Sequence, residues 1–284
     1  MPQPGKLRRQ VAGAYRQSKR SSVVVYVVLR VLVILCMVRQ FTVGSYHYVL
    51  LCALSLLLMT IPLILKSTLR ICMPNALEIA VVGFVFAAEI LGEIGNFYGA
   101  LPFWDTMLHT MNGFLAAAVG FGLIDLMNTH SKRMQMSPFF VALVAFCFSM
   151  TTGAVWEIIE YSIDRGFGTD MQKDSVVQQI SSIQLNPAGD NDPIVIDGVA
   201  YTVLYDESGA ALWQVEGGYL DVGLNDTMED LIVNFAGAAV FSVLGGLYVY
   251  RRDKYGFAGG FIITRDGEPG AGPNIRDGER SLQE

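Results

Sequence analysis

Apolar residues recur along this chain in long runs, at about 23–43, 46–65, 77–96, 107–127, 138–161 and 229–250, with polar stretches between them. Each run approaches the roughly 20 residues an α-helix needs to cross a hydrocarbon layer about 30 Å thick. A backbone in lipid must satisfy its own N–H and C=O groups, and a helix does so. The pattern predicts an all-α integral membrane protein with about six transmembrane helices.

The polar stretches divide the rest. The first two runs meet at Thr42, Val43, Gly44 and Ser45, which predicts a tight helical hairpin with largely apolar faces. Arg30 interrupts it about 10 Å into the span, at 1.5 Å per residue. Its guanidinium can snorkel toward the nearer interface or pair with Glu78 or Asp125. Between the fifth and sixth runs, residues 163–228 form the one sizeable soluble piece. There Pro193–Ile196, Val199–Tyr205 and Ala211–Val215, punctuated by Asp197-Gly198 and by Asp206 to Gly209, read as short strands. They predict a small extracytoplasmic β-hairpin insertion. The chain thus divides into a basic cytoplasmic N-terminus at 1–22, helices one to five at 23–162, the loop with short strands at 163–228, helix six at 229–250 and a cytoplasmic tail at 251–284. From 256 onward the tail lacks apolar periodicity and reads as disordered.

Composition agrees with the membrane class. Of 284 residues 52% are hydrophobic and 16% charged, and mean hydropathy is +0.41, which excludes an ordinary soluble domain. The first run is long, carries Arg30 and lacks an A-x-A-like site, so it reads as a retained helix rather than a secretory leader. Lys and Arg collect in the N-terminus, at Lys66 and Arg70, at Lys132 and Arg133, and at Arg251, Arg252 and Lys254. By the positive-inside rule both termini are cytoplasmic, and the acidic 163–228 segment lies outside. Cys36, Cys52 and Cys147 lie in apolar runs and Cys72 in a cytoplasmic turn, so the cysteines read as packing residues rather than a disulfide framework.

Ionisable groups in hydrocarbon are costly and mark candidate function. The third run carries Glu89, Glu93 and Asn96, the fourth Asp105, His109 and Asn112, the fifth Glu157, Glu160 and Asp164, and the sixth Asp226, Asp230 and Asn234. At α-helical spacing each set forms one stripe. Topology brings all four stripes to the outer third of the bilayer, and Gly113, Gly153, Ala236, Gly237 and Ala238 let the helices approach below them. The cluster gathers Glu89, Glu93, Asp105, Glu157, Glu160, Asp226 and Asp230 without a Lys or Arg. Either several are protonated or a cation sits among them. Carboxylates with amide oxygens suit hard divalent ions, and His109 admits zinc or iron. Plainer readings stand beside this one. Asp105 and Asp226 are placed to cap helices, Glu160 and Asp164 to face water, His109 to pack. Phe97, Tyr98, Phe103, Trp104, Trp156 and Tyr161 read first as an interfacial belt.

Asp105-Thr-Met-Leu-His109 followed by Met-Asn-Gly-Phe, then Gly153-Ala-Val-Trp-Glu157-Ile-Ile-Glu160, then Asp226-Thr-Met-Glu-Asp230-Leu-Ile-Val-Asn234-Phe-Ala-Gly237, resembles the three-part signature of YjdF-like inner-membrane proteins. It is more distantly similar to VanZ-like proteins, with their D-x-x-x-H, G-x-x-x-E and D-x-x-x-N-x-x-G elements. The long 163–228 insertion and Glu160, where those tend to have Gln, depart from the VanZ-like pattern. The resemblance implies a bacterial plasma-membrane location and carries no catalytic assignment.

Walker, dinucleotide, HExxH and GxSxG motifs are missing. The net charge of −6 argues against a nucleic-acid partner. The partners expected are the lipid bilayer and a lipid-like substrate. Three functions remain: a metal-dependent membrane enzyme acting on an envelope lipid or lipid-linked substrate, a cation-handling or proton-coupled carrier, and a structural or regulatory protein that uses the polar cluster to fix helix register.

Overall fold

The computed structural model describes residues 4–64, 71–130, 136–251 and 263–265. The basic connections at Lys66 and Arg70, at Lys132 and Arg133 and at Arg252 and Lys254 lie outside these residues, as does the tail expected to be disordered except at 263–265, where Thr264–Arg265 form a strand. Helix α1 runs Pro4–Val43 and α2 Tyr46–Leu58, so α1 starts well before the apolar run that predicted it. The turn between them is the expected one. Gly44 takes φ 81°, which a side chain would resist, and its N–H donates to Phe41 O.

Strand β1 (Ile71–Cys72) precedes α3 (Asn75–Val85), which passes directly into a π-helical segment, Phe86–Ile94. The short α4 (Phe97–Ala100) leads to α5 (Trp104–His130) and α6 (Pro138–Phe167). After the insertion come α7 (Leu224–Tyr250) and β8 (Thr264–Arg265). Among the described residues five helices are long and apolar enough to cross a membrane: Ser22–Val43, Tyr46–Ile64, Trp104–Asn128, Pro138–Phe167 and Leu224–Tyr250. The third apolar run is divided between α3 and the π-helical segment and is not among these five.

Two compact units result: Met1–Gly153 with Val233–Glu284, and Ala154–Ile232. In the first, Leu115, Ala117, Ala118 and Phe121 of α5 pack with Val141 and Ala145 of α6 and with Ala238 and Phe241 of α7. Phe121 meets Phe241 edge-on at 5.9 Å, the geometry aromatic quadrupoles favour. A second core joins Val33, Cys52, Met59, Val82 and Ile90, with Cys36 against it. Cys36, Cys52 and Cys147 are free thiols. Arg30 folds over the Tyr26 ring, 4.4 Å from its centroid, a cation–π contact. Outward faces of the long helices stay apolar and open, including Val27, Val31 and Leu35 on α1 and Ile232, Phe235 and Val243 on α7.

The second unit holds β2 (Val176–Val177), β3 (Ile180–Ser182), β4 (Ile194–Ile196), β5 (Tyr201–Tyr205), β6 (Ala211–Glu216) and β7 (Tyr219–Leu220). They form separate antiparallel pairs, β2 with β7, β3 with β4 and β5 with β6. Tyr201 pairs with Glu216, Leu204 with Trp213 and Tyr205 with Ala211, leaving Leu212 as the extra residue of a bulge. Strand β5 begins two residues later than the alternation predicts. Val199 N–H donates to Gln178 O instead, and β2 and β7 were too short to leave a periodic signal.

Aspartates organise the turns. Asp221 accepts N–H bonds from Ser175 at 2.9 Å and from Asn225 at 2.9 Å, which fastens β7 and the start of α7 to the segment before β2. Partial burial works to raise its pKa, but the backbone donors outweigh it and hold the carboxyl below the usual range. Asp174 goes the other way, pushed up first by burial and then by the charges of Asp170, Asp221 and Asp164. A depressed carboxyl stabilises above its unfolded pKa of about 4, and that contribution fades as pH falls through the folded value. A raised one costs stability when ionised, and acid relieves the cost. Asp221→Ala should therefore lower the stability of the insertion by about 1–2 kcal/mol at pH 7, with the deficit shrinking in acid, whereas Asp174→Asn should be neutral or stabilising. Thermal melts at several pH values, followed by fluorescence, check both.

Candidate functional site

The geometry is clearest where α5, α6 and α7 meet within the first unit. Asn234 of α7 is 1% exposed, in a setting where an unpaired amide would cost several kcal/mol. It is well partnered. Asn112 Nδ2 donates to Asn234 Oδ1 at 3.1 Å, and Asn234 Nδ2 donates to Ser149 O at 3.5 Å. Ser149 Oγ donates in turn to Gly113 O at 2.7 Å, so three helices are tied by one short chain of bonds.

Small residues make this possible. A Cβ on Gly113 would lie 2.1 Å from Asn234 O, and one on Gly237 would lie 2.1 Å from Thr110 O. Gly153 faces the Asn234 amide just as closely, at 2.7 Å. The backbones touch because glycine lets them, the arrangement that small residues favour between membrane helices.

One turn before Asn112, His109 is buried, and its Nε2 stands 3.5 Å from Asp105 Oδ1. The Asp105 side chain is 31% exposed and that of His109 11%, so the pair is largely dry with one open side. Trp104, beside Asp105, is buried against Phe97 with ring centroids 4.8 Å apart, a packing role in place of the expected interfacial one. Asp230 lies on α7 one turn before Asn234 and is buried.

The third apolar run departs from its expected stripe. Glu89 and Glu93 fall in the π-helical segment, Glu89 half-buried and Glu93 exposed. Asn96 is exposed, at φ 57° beyond the end of that segment. Glu89 and Glu93 stay about one turn apart there, while Asn96, beyond the segment in a left-handed conformation, leaves the stripe.

Within the second unit the remaining candidates are engaged locally. Trp156 Nε1 donates to Glu160 Oε1 at 2.8 Å, and Glu157 is buried. Asp164 accepts from Thr169 Oγ1 at 2.7 Å, Met171 N at 2.7 Å and Gln172 N at 2.9 Å. Asp226 accepts from Lys173 N at 3.0 Å, so it holds the loop that enters the insertion. Ser149, which completes the chain of bonds, carried no sequence signal, since a serine inside an apolar run commonly bonds its own helix.

Long apolar helices with open outward faces, tied internally by buried polar side chains, define a polytopic helical membrane protein. The chain belongs to the family described as predicted membrane protein (DUF2238), whose model matches residues 22–251. The YjdF-like resemblance of the three motifs is consistent with that membership. An uncharacterized protein of Thermotoga maritima is 27% identical over 92 residues, 32% of this chain. The match spans 46% of that relative's own length. No solved structure matches significantly.

The close helix approach generates a contrast between two glycines. Gly237→Ala should destabilise the protein by about 1–3 kcal/mol, because the added methyl must force α5 and α7 apart. Gly83→Ala, where nothing lies within 4 Å, should be neutral or stabilising by up to about 1 kcal/mol. Melting temperatures of the two variants in one detergent decide between them.

Proposed function

We infer that Asp105, His109 and Asp230 hold a divalent metal ion, and that the protein is a metal-dependent membrane enzyme acting on an envelope lipid or lipid-linked substrate. The observation that carries this reading is the Asn112–Asn234 hydrogen bond, which spans 122 positions. His109 lies three residues before Asn112 on α5, and Asp230 four residues before Asn234 on α7. Each of the three residues offers one ligand atom. One imidazole nitrogen and two carboxylate oxygens leave coordination positions open, as catalytic sites for zinc or manganese require.

A bound metal would polarise a phosphoryl or ester oxygen. Glu157, one turn beyond Gly153 on α6, is the carboxylate that would serve as a general base in this reading. Asp105 provides the accessible edge of the site and His109 its dry floor. Glu89, Glu93, Glu160 and Asp226 fall outside this smaller ligand set, and Asn96, Asn112 and Asn234 are supporting residues at most. In the same reading Asn75–Ile94 makes a sixth crossing, both termini are cytoplasmic and the insertion stands outside a bacterial plasma membrane. The distant VanZ-like similarity of the three motifs fits an envelope role. A carrier would need a polar path through the membrane. Below Asn112 and Asn234 the three helices instead pack Phe121, Phe241 and their neighbours.

The test is elemental analysis of detergent-purified protein after supplementation with zinc or manganese and desalting. Wild type should retain about one equivalent, which His109→Ala and Asp230→Asn should each lose while still eluting as folded protein. Glu160→Gln should keep it. A metal-free wild type, or full occupancy in both ligand variants, ends the proposal.

A further inference from the structure

From Asp174 to Thr227 the chain contains no Lys or Arg, while Asp174, Asp190, Asp192, Asp197, Asp206, Glu207, Glu216, Asp221 and Asp226 are all acidic. The two basic groups just before this stretch are occupied. Lys173 Nζ donates to Asp170 O at 2.9 Å, and the Arg165 guanidinium stacks on Tyr161 at 5.5 Å. Arg165 and Lys173 are thus the only cations of residues 163–228, and they cannot balance the acidic side chains of the insertion.

Large apolar side chains stand among them in the open. Trp213 is 71% exposed, Leu212 64%, Tyr205 63% and Leu204 49%. Leu204 and Trp213 are direct cross-strand partners of β5 and β6, and the bulge turns Leu212 out beside them. A two-stranded pair buries little of its own surface, and each strand keeps an edge able to accept another strand. The turn that joins them is firmly made, since Asp206 Oδ1 accepts from Ser208 N at 2.9 Å and Ala210 N at 2.9 Å. The apolar side chains are thus held on a fixed hairpin.

We propose that the β5–β6 hairpin is a docking surface for a basic, strand-forming polypeptide segment that places apolar side chains over Leu204, Leu212 and Trp213. Charge complementarity selects the occupant. A second copy would set nine carboxylates against nine without a compensating cation, and an anionic lipid surface would be repelled in the same way. A cationic segment satisfies both the exposed apolar residues and the uncompensated charge around them. The proposal does not depend on the metal reading, because it uses none of the same residues.

The test uses the full chain in phosphatidylcholine nanodiscs and a fluorescent peptide of about 12 residues alternating lysine with valine and tryptophan. A second peptide carries glutamate in place of lysine. Fluorescence anisotropy should show saturable binding of the lysine peptide, above that to empty nanodiscs, and none of the glutamate peptide. Trp213→Ser and Leu204→Ser leave the charge unchanged and should each weaken binding about tenfold. Both positions are exposed, so neither change disturbs a core. Equal binding by the serine variants would reduce the effect to bulk charge and overturn the proposal, as would binding no stronger than to empty nanodiscs. Concentration-dependent dimerisation lost in Trp213→Ser would assign the surface to a second copy instead. Quenching of Trp213 by brominated lipid would assign it to the bilayer. Either result also overturns the proposal.

Discussion

One buried amide sets the terms for the helices around it. Asn234 cannot be left unpaired in an apolar interior, and its two ends need an acceptor and a donor at fixed positions. Asn112 supplies the donor and Ser149 O the acceptor. Satisfying both at once fixes α7 against α5 and α6 in rotation as well as in height. Apolar packing alone would not, because leucine-like surfaces tolerate sliding by a turn. The glycines at 113, 153 and 237 follow from the same demand, since bonds of this length require the backbones to be close. A polar residue that fixes register is among the better-attested uses of buried polarity. Here it also sets the positions of residues one turn away on the same helices.

Much of the fold was legible in hydropathy because spanning a bilayer imposes a length on each helix. The hairpin turn at Gly44 and strands β5 and β6 were readable for a related reason, since turn residues mark chain reversals locally. The third run was read with the wrong pitch. Nothing in Phe86–Ile94 marks a π-helix, whose wider turn is a response to packing rather than to residue preference. Strands β2 and β7 escaped notice because two residues cannot establish an alternation, and their pairing joins segments far apart in sequence.

The candidate site was legible as a set of residue types and only partly as geometry. The i, i+4 spacing of Asp105 and His109 set them on one helix face, and they stand 3.5 Å apart. The sequence stripe grouped Asp164 and Asp226 with the others, yet both accept backbone N–H groups from the loop that follows α6. A stripe on a helix says which side chains share a face. It says nothing of donors that a long insertion brings back to that face.

That distinction sorts the carboxylates by chemistry. A carboxylate already accepting two or three N–H bonds is held ionised by them, and a metal ion would have to displace those bonds to gain its oxygens. Asp164 and Asp221 are therefore fastenings, and Asp226 leans the same way. Among the described residues Asp105 accepts no backbone N–H, and its neighbour is an imidazole that can itself be a ligand. Hydrogen-bond partnership, rather than burial or sequence spacing, is what separates a carboxylate available for chemistry from one committed to the fold. By that measure Asp164, Asp206 and Asp221 are committed to the fold, and Asp105 beside His109 is not.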